Sequence, residues 1–422
     1  MFFVLKGMMR KRIINVALQG TTLLIKFGLI FLLAKYLSPI DIGYYGLFVA
    51  AISYSLYFVG LDFYTYVTRE VVRTPKSEQG ALLRSQASLS VFLYLIFIPI
   101  LFIILTKKTS WPSYLIWWFI PLLVVEHFNQ EMSRLFVALS EQVFASILLF
   151  VRQASWAVFV MFTMYFVPET RSLEFPLKAW FVSGLLAVFL SSYKLYRLGI
   201  RGWGKELDWK WIKKGILVSG AFLSATLALR GVQTFDRYIL ESIGGLEIVG
   251  AYVLFSGIAG SLLAFLDSGV FSFTYPALID LSQRQMWSQM RRKTLNMFFL
   301  TIFLSFAFSV VSLLIIPYLL AWIGKELYSG SIELYYWILL ATVVNALGLV
   351  PHYALYSANK DKPIIISHLL AFFVFFIAVF LLRPLSFYMS VPQALFITFL
   401  FIFVFKTAAY LVIIPSKAVE GN

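Results

Sequence analysis

Twelve apolar runs, each long enough to cross a bilayer, fill most of this 422-residue chain and leave it few folds to choose from. They fall near 13–36, 42–63, 88–106, 112–135, 143–167, 177–198, 212–238, 249–273, 295–321, 333–357, 363–384 and 392–415. Hydrocarbon offers backbone N–H and C=O groups no water, so such runs must be helices that satisfy their own hydrogen bonds. Composition agrees: 61% of residues are hydrophobic and 13% charged, against about 45–50% and about 25% in soluble globular domains. The first run follows a basic stretch, but it is too long for a secretory h-region and no Ala-x-Ala site follows it, so it is expected to stay in the mature protein.

The formal charge of +15 would suggest nucleic acid in a soluble protein. Here it is a topology signal. Lys6, Arg10, Lys11 and Arg12 precede the first run; Arg69, Arg73, Lys76 and Arg84 follow the second; seven Lys/Arg lie in 194–214; and Arg284, Arg291, Arg292 and Lys293 follow the eighth. The positive-inside rule then puts both termini in the cytoplasm, with membrane lipids and not nucleic acid as surroundings. Trp111, Trp117, Trp118, Trp203, Trp209, Trp211 and Trp322 lie near run ends, as an interfacial aromatic belt would. There is no cysteine, which excludes disulfides and thiolate metal sites.

Polar residues inside the runs repeat. Asn15, Gln19, Thr22 and Lys26 in the first are matched 204 positions later by Ser219, Leu223, Thr226 and Arg230 in the seventh, and each series keeps to one helical face. Ile42-Gly43-Tyr44-Tyr45-Gly46-Leu47-Phe48 aligns with Val249-Gly250-Ala251-Tyr252-Val253-Leu254-Phe255 at an offset of 207, and Leu61-Asp62 with Leu266-Asp267 at 205. Such slow drift is the mark of a diverged duplication. Six helices per copy return the chain to its starting side, so the repeats are expected to be parallel. The expected fold is an all-α membrane protein of twelve transmembrane helices, with six-helix bundles at 1–205 and 206–422 around a central cavity. The basic, tryptophan-bearing stretch 197–214 is expected to join them as an amphipathic segment on the cytoplasmic surface, and the polar stretches 64–87 and 275–294 to extend helices beyond the membrane.

Motifs for chemistry fail. Gly199-Ile200-Arg201-Gly202-Trp203-Gly204-Lys205 spells most of a Walker A loop, but Glu206 stands where Ser or Thr should hold Mg²⁺ and no strand precedes it. His127, His352 and His368 have neither metal-ligand spacing nor partners at i±4, and read as hydrogen-bonded polar residues of the bundle, with proton carrying open for His368. No nucleophile motif or metal cluster is present, so the chain is not expected to be an enzyme or to hold a cofactor.

Lys26 and Arg230 are the expensive residues, since a cation at bilayer depth costs roughly 2.5–3.5 kcal/mol on insertion scales. The same sign at duplicated positions points to an anionic ligand, with internal salt bridges as the alternative. Ser219, Thr226, Arg230, Gln233 and Arg237 share one face of the seventh run, and Gln142, Ser146, Gln153 and Trp156 one face of the fifth, with Arg152 to one side. Lys26, Arg152 and Arg230 are therefore expected to meet in one cavity, where arginine suits bidentate phosphate contacts. For Arg152 a salt bridge with Glu126 or Glu131 is the equal alternative. Of the intramembrane acids, Asp62 and Asp267 end duplicated helices, and Asp236, beside Arg237 but about 100° round the helix, is the first candidate to bind a coupling ion, H⁺ or Na⁺.

Leu37-Ser38-Pro39-Ile40-Asp41-Ile42-Gly43-Tyr44-Tyr45, Asp236-Arg237 followed by Val249-Gly250-Ala251-Tyr252, and Leu266-Asp267-Ser268-Gly269 together resemble the polysaccharide transporters, or O-antigen-type flippases, of the multidrug/oligosaccharidyl-lipid/polysaccharide (MOP) exporter superfamily. Ile42 replaces that family's usual aromatic residue. The resemblance implies that undecaprenyl-diphosphate-linked oligosaccharide is flipped to the outer leaflet of the bacterial inner membrane, with other polysaccharide-assembly proteins as candidate partners. A multidrug exporter would instead require an acidic cavity for organic cations, and a polysaccharide polymerase a large outer loop.

Overall fold

The computed structural model describes the backbone of residues 2–414 and the side chains of 14–220 and 223–414. No strand occurs among the described residues. Nine continuous helical stretches there are long and apolar enough to cross a membrane; Leu223–Gln283 and Asp361–Ile413 each hold two helices, and Ser113–Ala138 adds one more. The result is the expected all-α, twelve-span membrane architecture. In order the spans begin with Phe2–Tyr36, Pro39–Gly60, Lys76–Lys108, Ser113–Ala138, Gln142–Phe166 and Glu174–Arg197. The seventh and eighth lie in Trp209–Leu266, which breaks at Gly245 (φ 79°, ψ 173°), a conformation essentially reserved for glycine. Trp287–Ile323, Ile332–Ser357, Asp361–Ser386 and Ser390–Ile413 complete the set. Helix also continues through Tyr64–Arg73 and Ser272–Gln283, as the polar stretches suggested. Exposed Phe303, Phe306 and Leu314 on the ninth span present the apolar surface that lipid covers.

The duplicated Leu-Asp pairs both interrupt a helix. Leu61 and Asp62 take φ of 50° and end the second span, whereas Asp267 opens a π-helical turn, Asp267–Phe271, in the eighth.

Two compact units form: the chain up to Leu37 with Phe48–Ser224, and Ser38–Leu47 with the chain from Ala225 on. In the first, the start of the seventh span sits on the Tyr64–Arg73 helix. Trp211 packs on Phe63 and Tyr66 with ring centroids 5.4 and 5.2 Å apart, and a Cβ on Gly215 would lie 2.4 Å from the Phe63 ring. Lipid tails give helices no hydrophobic reason to associate, so contact depends on small residues and interhelical hydrogen bonds. Gly184 on the sixth span supplies both: it leaves room for Val125, and its carbonyl accepts from Asn129 Nδ2 at 2.9 Å. Trp111 and Trp211, expected in an interfacial belt, are packing residues instead; Trp111 is buried against Phe48.

The linker corrects a second expectation. Over 199–208 the chain is irregular, not an amphipathic helix, and it is strapped to the start of the third span. Gly80 N–H donates to the Arg201 carbonyl, Arg201 N–H to that of Lys76, and Arg84 to those of Trp203 and Lys205. The glycines that resembled a phosphate loop serve this turn: Gly202 has φ +88° and faces the Ser77 carbonyl.

In the second unit, Leu-Ser-Pro-x-Asp is a helix start. Ser38 Oγ and Asp41 Oδ2 bond at 2.6 Å, Asp41 N–H donates to Ser38 Oγ, and Pro39 takes the first helical position, where no N–H is missed. Outside the spans, burial holds the Lys325 ammonium below its ordinary range, with Asp41 opposing the shift.

Candidate functional site

In the first unit the polar face of the first span meets the fifth. Gln19 Nε2 reaches Ser146 Oγ at 3.5 Å, Ser146 bonds Asn15, and Lys26 Nζ donates to Gln153 Oε1 at 3.3 Å. The expected stripe thus faces its counterpart, with one exception: Thr22 is buried and its hydroxyl returns to the Leu18 carbonyl. Lys26 remains exposed.

Arg152 behaves otherwise. It is buried in a π-helical turn, Val151–Ser155, whose Val151 carbonyl accepts from the hydroxyls of Ser155 and Ser183. Its Nε lies 3.7 Å from Glu126 Oε2, and both side chains are 8% exposed. Glu126 also accepts from Trp180 Nε1 at 2.6 Å, and Trp180 stacks on Trp156. Of the two readings left open, the salt bridge with Glu126 is the one present. Glu131 is engaged elsewhere, with Arg134 at 2.7 Å and Gln86 at 2.6 Å. Asp62 is buried at its helix break. Ser219 is also fully buried, its hydroxyl 3.3 Å from that of Thr65, and so does not belong to an open polar face.

The second unit holds the other cationic series. Arg230 is exposed and donates from Nη1 to Gln233 Oε1 at 2.9 Å; Thr226 lies one turn earlier on the same helix, half-buried. Arg237 bonds the Gln233 carbonyl at 2.6 Å and stands 3.8 Å from Asp236. Asp236 is buried, accepting from Tyr252 OH at 2.6 Å and from the Arg237 N–H at 2.7 Å, so its oxygens are already engaged. Asp267 is exposed and accepts from Tyr353 OH at 3.0 Å.

Lys26 and Arg230 therefore share a chemistry as well as a repeat position. Each is an exposed cation held by a glutamine amide oxygen, and neither joins an ion pair among the described residues. No described carboxylate pairs with either cation to compete with an anionic ligand.

Sequence reasoning missed Lys406. It is the one charged residue of Ser390–Ile413 and is 2% exposed, with Nζ 3.2 Å from His352 Nδ1 and 2.9 Å from His368 Nε2. A lysine inside an apolar run was the available signal. Among the described residues no group of His, Cys, Asp and Glu is arranged to hold a metal ion.

Comparison with known proteins places this geometry in context. Residues 8–282 match the family model described as polysaccharide biosynthesis protein. No curated protein sequence matches the chain. An inward-facing multidrug resistance MATE family transporter of the MOP superfamily shares the fold with a TM-score of 0.75 at 11% identity, covering 95% of this chain and 96% of that one. An outward-facing MATE structure gives 0.65 at 11% identity, covering 95% of each chain. A MOP superfamily transporter from Pyrococcus furiosus, described as having a binding pocket of reverse polarity that suggests a different function, gives 0.57 at 11% identity over 95% of this chain and 92% of that one. The resemblance seen in the motifs is thus borne out: the chain is a multi-pass membrane protein with the MOP fold, and it belongs to the polysaccharide biosynthesis protein family.

Proposed function

We propose that the protein is a flippase carrying undecaprenyl-diphosphate-linked oligosaccharide from the cytoplasmic to the outer leaflet of the bacterial inner membrane, by alternating access driven by an H⁺ or Na⁺ gradient. Both termini lie in the cytoplasm in this reading. The observation that carries it is the pair Lys26 and Arg230, duplicated cations without a carboxylate partner among the described residues and each steadied by a glutamine. A diphosphate needs such charges, and arginine adds bidentate geometry. The polyprenyl tail can stay in lipid while the sugars cross in a polar environment. Multidrug export of organic cations is disfavoured by the same two charges, and a polymerase would be an enzyme for which no nucleophile or acid–base constellation is seen in the sequence.

The test uses cells lacking the endogenous transporter. Lys26→Ala, Arg230→Ala and the double variant should insert normally yet fail to restore surface polysaccharide, with Lys26→Arg milder. Normal surface polymer from the double alanine variant at wild-type protein level would defeat the proposal.

A further inference from the structure

Lys406 sits where a cation is hardest to keep. The twelfth span packs between the tenth and the eleventh, and the lysine, 2% exposed, is met there by one histidine from each. No carboxylate pairs with it among the described residues. The two imidazoles lie nearly parallel, 9° apart in plane with centroids at 6.0 Å. His352 is half-buried, and it stacks on exposed Tyr356 at 6.3 Å and 15°, which leaves the cluster one ring from solvent. Of the other charged groups near it, Arg230 faces His368 from the seventh span, and Asp267 reaches it only through Tyr353, whose ring stands edge-on to His352.

The hydrogen-bond inventory constrains what these three nitrogens can do. An ammonium only donates, so with Lys406 charged both facing imidazole nitrogens must be bare acceptors. A proton arriving on either of them sets N–H against N–H, and the contact survives only if Lys406 releases a proton and accepts in its turn. A proton added to the charged cluster therefore breaks a bond that ties the twelfth span to the tenth or the eleventh, whereas one lost from Lys406 leaves an N–H for each imidazole and removes only the charge that strengthens the two bonds. A purely structural clasp would be served by an amide or hydroxyl, which cannot vary its charge. Asp236, by contrast, already receives a tyrosine hydroxyl and a backbone N–H and sits beside a guanidinium.

We propose that Lys406, His352 and His368 form a proton-binding site, entered past Tyr356, that takes up and releases one H⁺ per transport cycle, making H⁺ the coupling ion. The site itself stands apart from the identity of the cargo; its coupling role rests on the transporter reading above.

The test has two arms. In the first, full-length protein labelled with ¹⁵N at histidine and lysine side chains is placed in lipid nanodiscs and titrated from about pH 5 to about pH 9, the range in which imidazoles exchange protons. The two rings and Nζ should shift together in one step, and that step should vanish in His352→Gln/His368→Gln, whose amide oxygens still accept from Lys406 and so spare the fold. Three nitrogens that keep their protonation throughout overturn the site. In the second arm, proteoliposomes loaded with polyprenyl-diphosphate oligosaccharide are given pH or Na⁺ gradients. Wild-type translocation should respond to the pH gradient, and the double glutamine variant should lose that response while keeping gradient-free exchange. An undiminished pH response in the variant overturns the coupling role. If wild type moves no lipid-linked sugar under any gradient, the flippase reading fails, and the first arm still decides the proton site.

Discussion

Gly43 and Gly250 press against carbonyls that the internal repeat relates to each other. A Cβ on Gly43 would lie 2.3 Å from the Leu246 oxygen, and one on Gly250 2.1 Å from that of Pro39. Gly250 follows Gly43 by 207 positions, and Leu246 follows Pro39 by the same number. The contact is thus its own mirror in sequence, as a local two-fold axis requires. Gly46 extends it, since a Cβ there would lie 2.0 Å from Val253. Gly43→Ala and Gly250→Ala should each destabilise the protein by about 1–3 kcal/mol through overpacking against rigid backbone. Thermal unfolding in detergent measures this. Gly260→Ala, with no neighbour within 4 Å, should be neutral or stabilising, and equal melting of all three would remove close approach as the reason for these glycines.

Removing Glu126 strands a buried guanidinium. Arg152 Nε and Nη1 are buried without a hydrogen-bond partner, so the Glu126 carboxylate at 3.7 Å is the charge that balances them. Glu126→Gln should therefore cost about 3–5 kcal/mol, the range for breaking one side of a buried pair. Adding Arg152→Gln should recover part of that loss. A double variant less stable than Glu126→Gln alone would mean that Arg152 is held by something other than this carboxylate.

Asp236 and Tyr252 tie the seventh span to the eighth. Tyr252→Phe deletes a hydrogen bond to a carboxylate and should cost about 1.5–3 kcal/mol. In a double-mutant cycle with Asp236→Asn the two losses should not add. Gradient-driven translocation that survives in Asp236→Asn would take this residue out of the coupling role first suggested by its place beside Arg237.

At Gly202 the strap from the linker to the third span depends on positive φ and on the missing side chain, since a Cβ there would lie 2.7 Å from the Ser77 carbonyl oxygen. Gly202→Ala should strain the turn by about 1–3 kcal/mol. Limited proteolysis of the linker reads it out, with faster cleavage expected. Gly204→Ala, which meets nothing within 4 Å, should leave the rate unchanged.

Much of the fold was open to reading because bilayer thickness sets the length of an apolar run, and that signal survives sequence drift. Helix breaks outside the apolar runs were harder: the stretch 64–87 reads as an extension of helices, but the stop at Arg73 and the restart at Lys76 carry no hydropathy mark. Stripes were legible, but the burial of their members was not. Thr22 and Ser219 lie on the expected faces and yet turn their hydroxyls to Leu18 and Thr65, since a neighbour at that level cannot be seen in one helix. The partner of Arg152 stayed open for the same reason. Glu126 and Glu131 are five residues apart, on different sides of the fourth span, and only the packing chooses. Lys406 was in plain view as a charge among phenylalanines, but its meaning depends on two histidines brought to it from other helices.

Gly245 does alone what a loop does elsewhere. With one residue reversing the chain, the seventh and eighth spans have no tether long enough to enter a bilayer one after the other and pair later. They are expected to insert together as a hairpin, joined across its two arms by the Asp236–Tyr252 hydrogen bond. Biogenesis of this region thus depends on a residue that touches no ligand, and a tag or single extra residue placed at this corner would be felt as a failure to insert before it was felt as a failure to function.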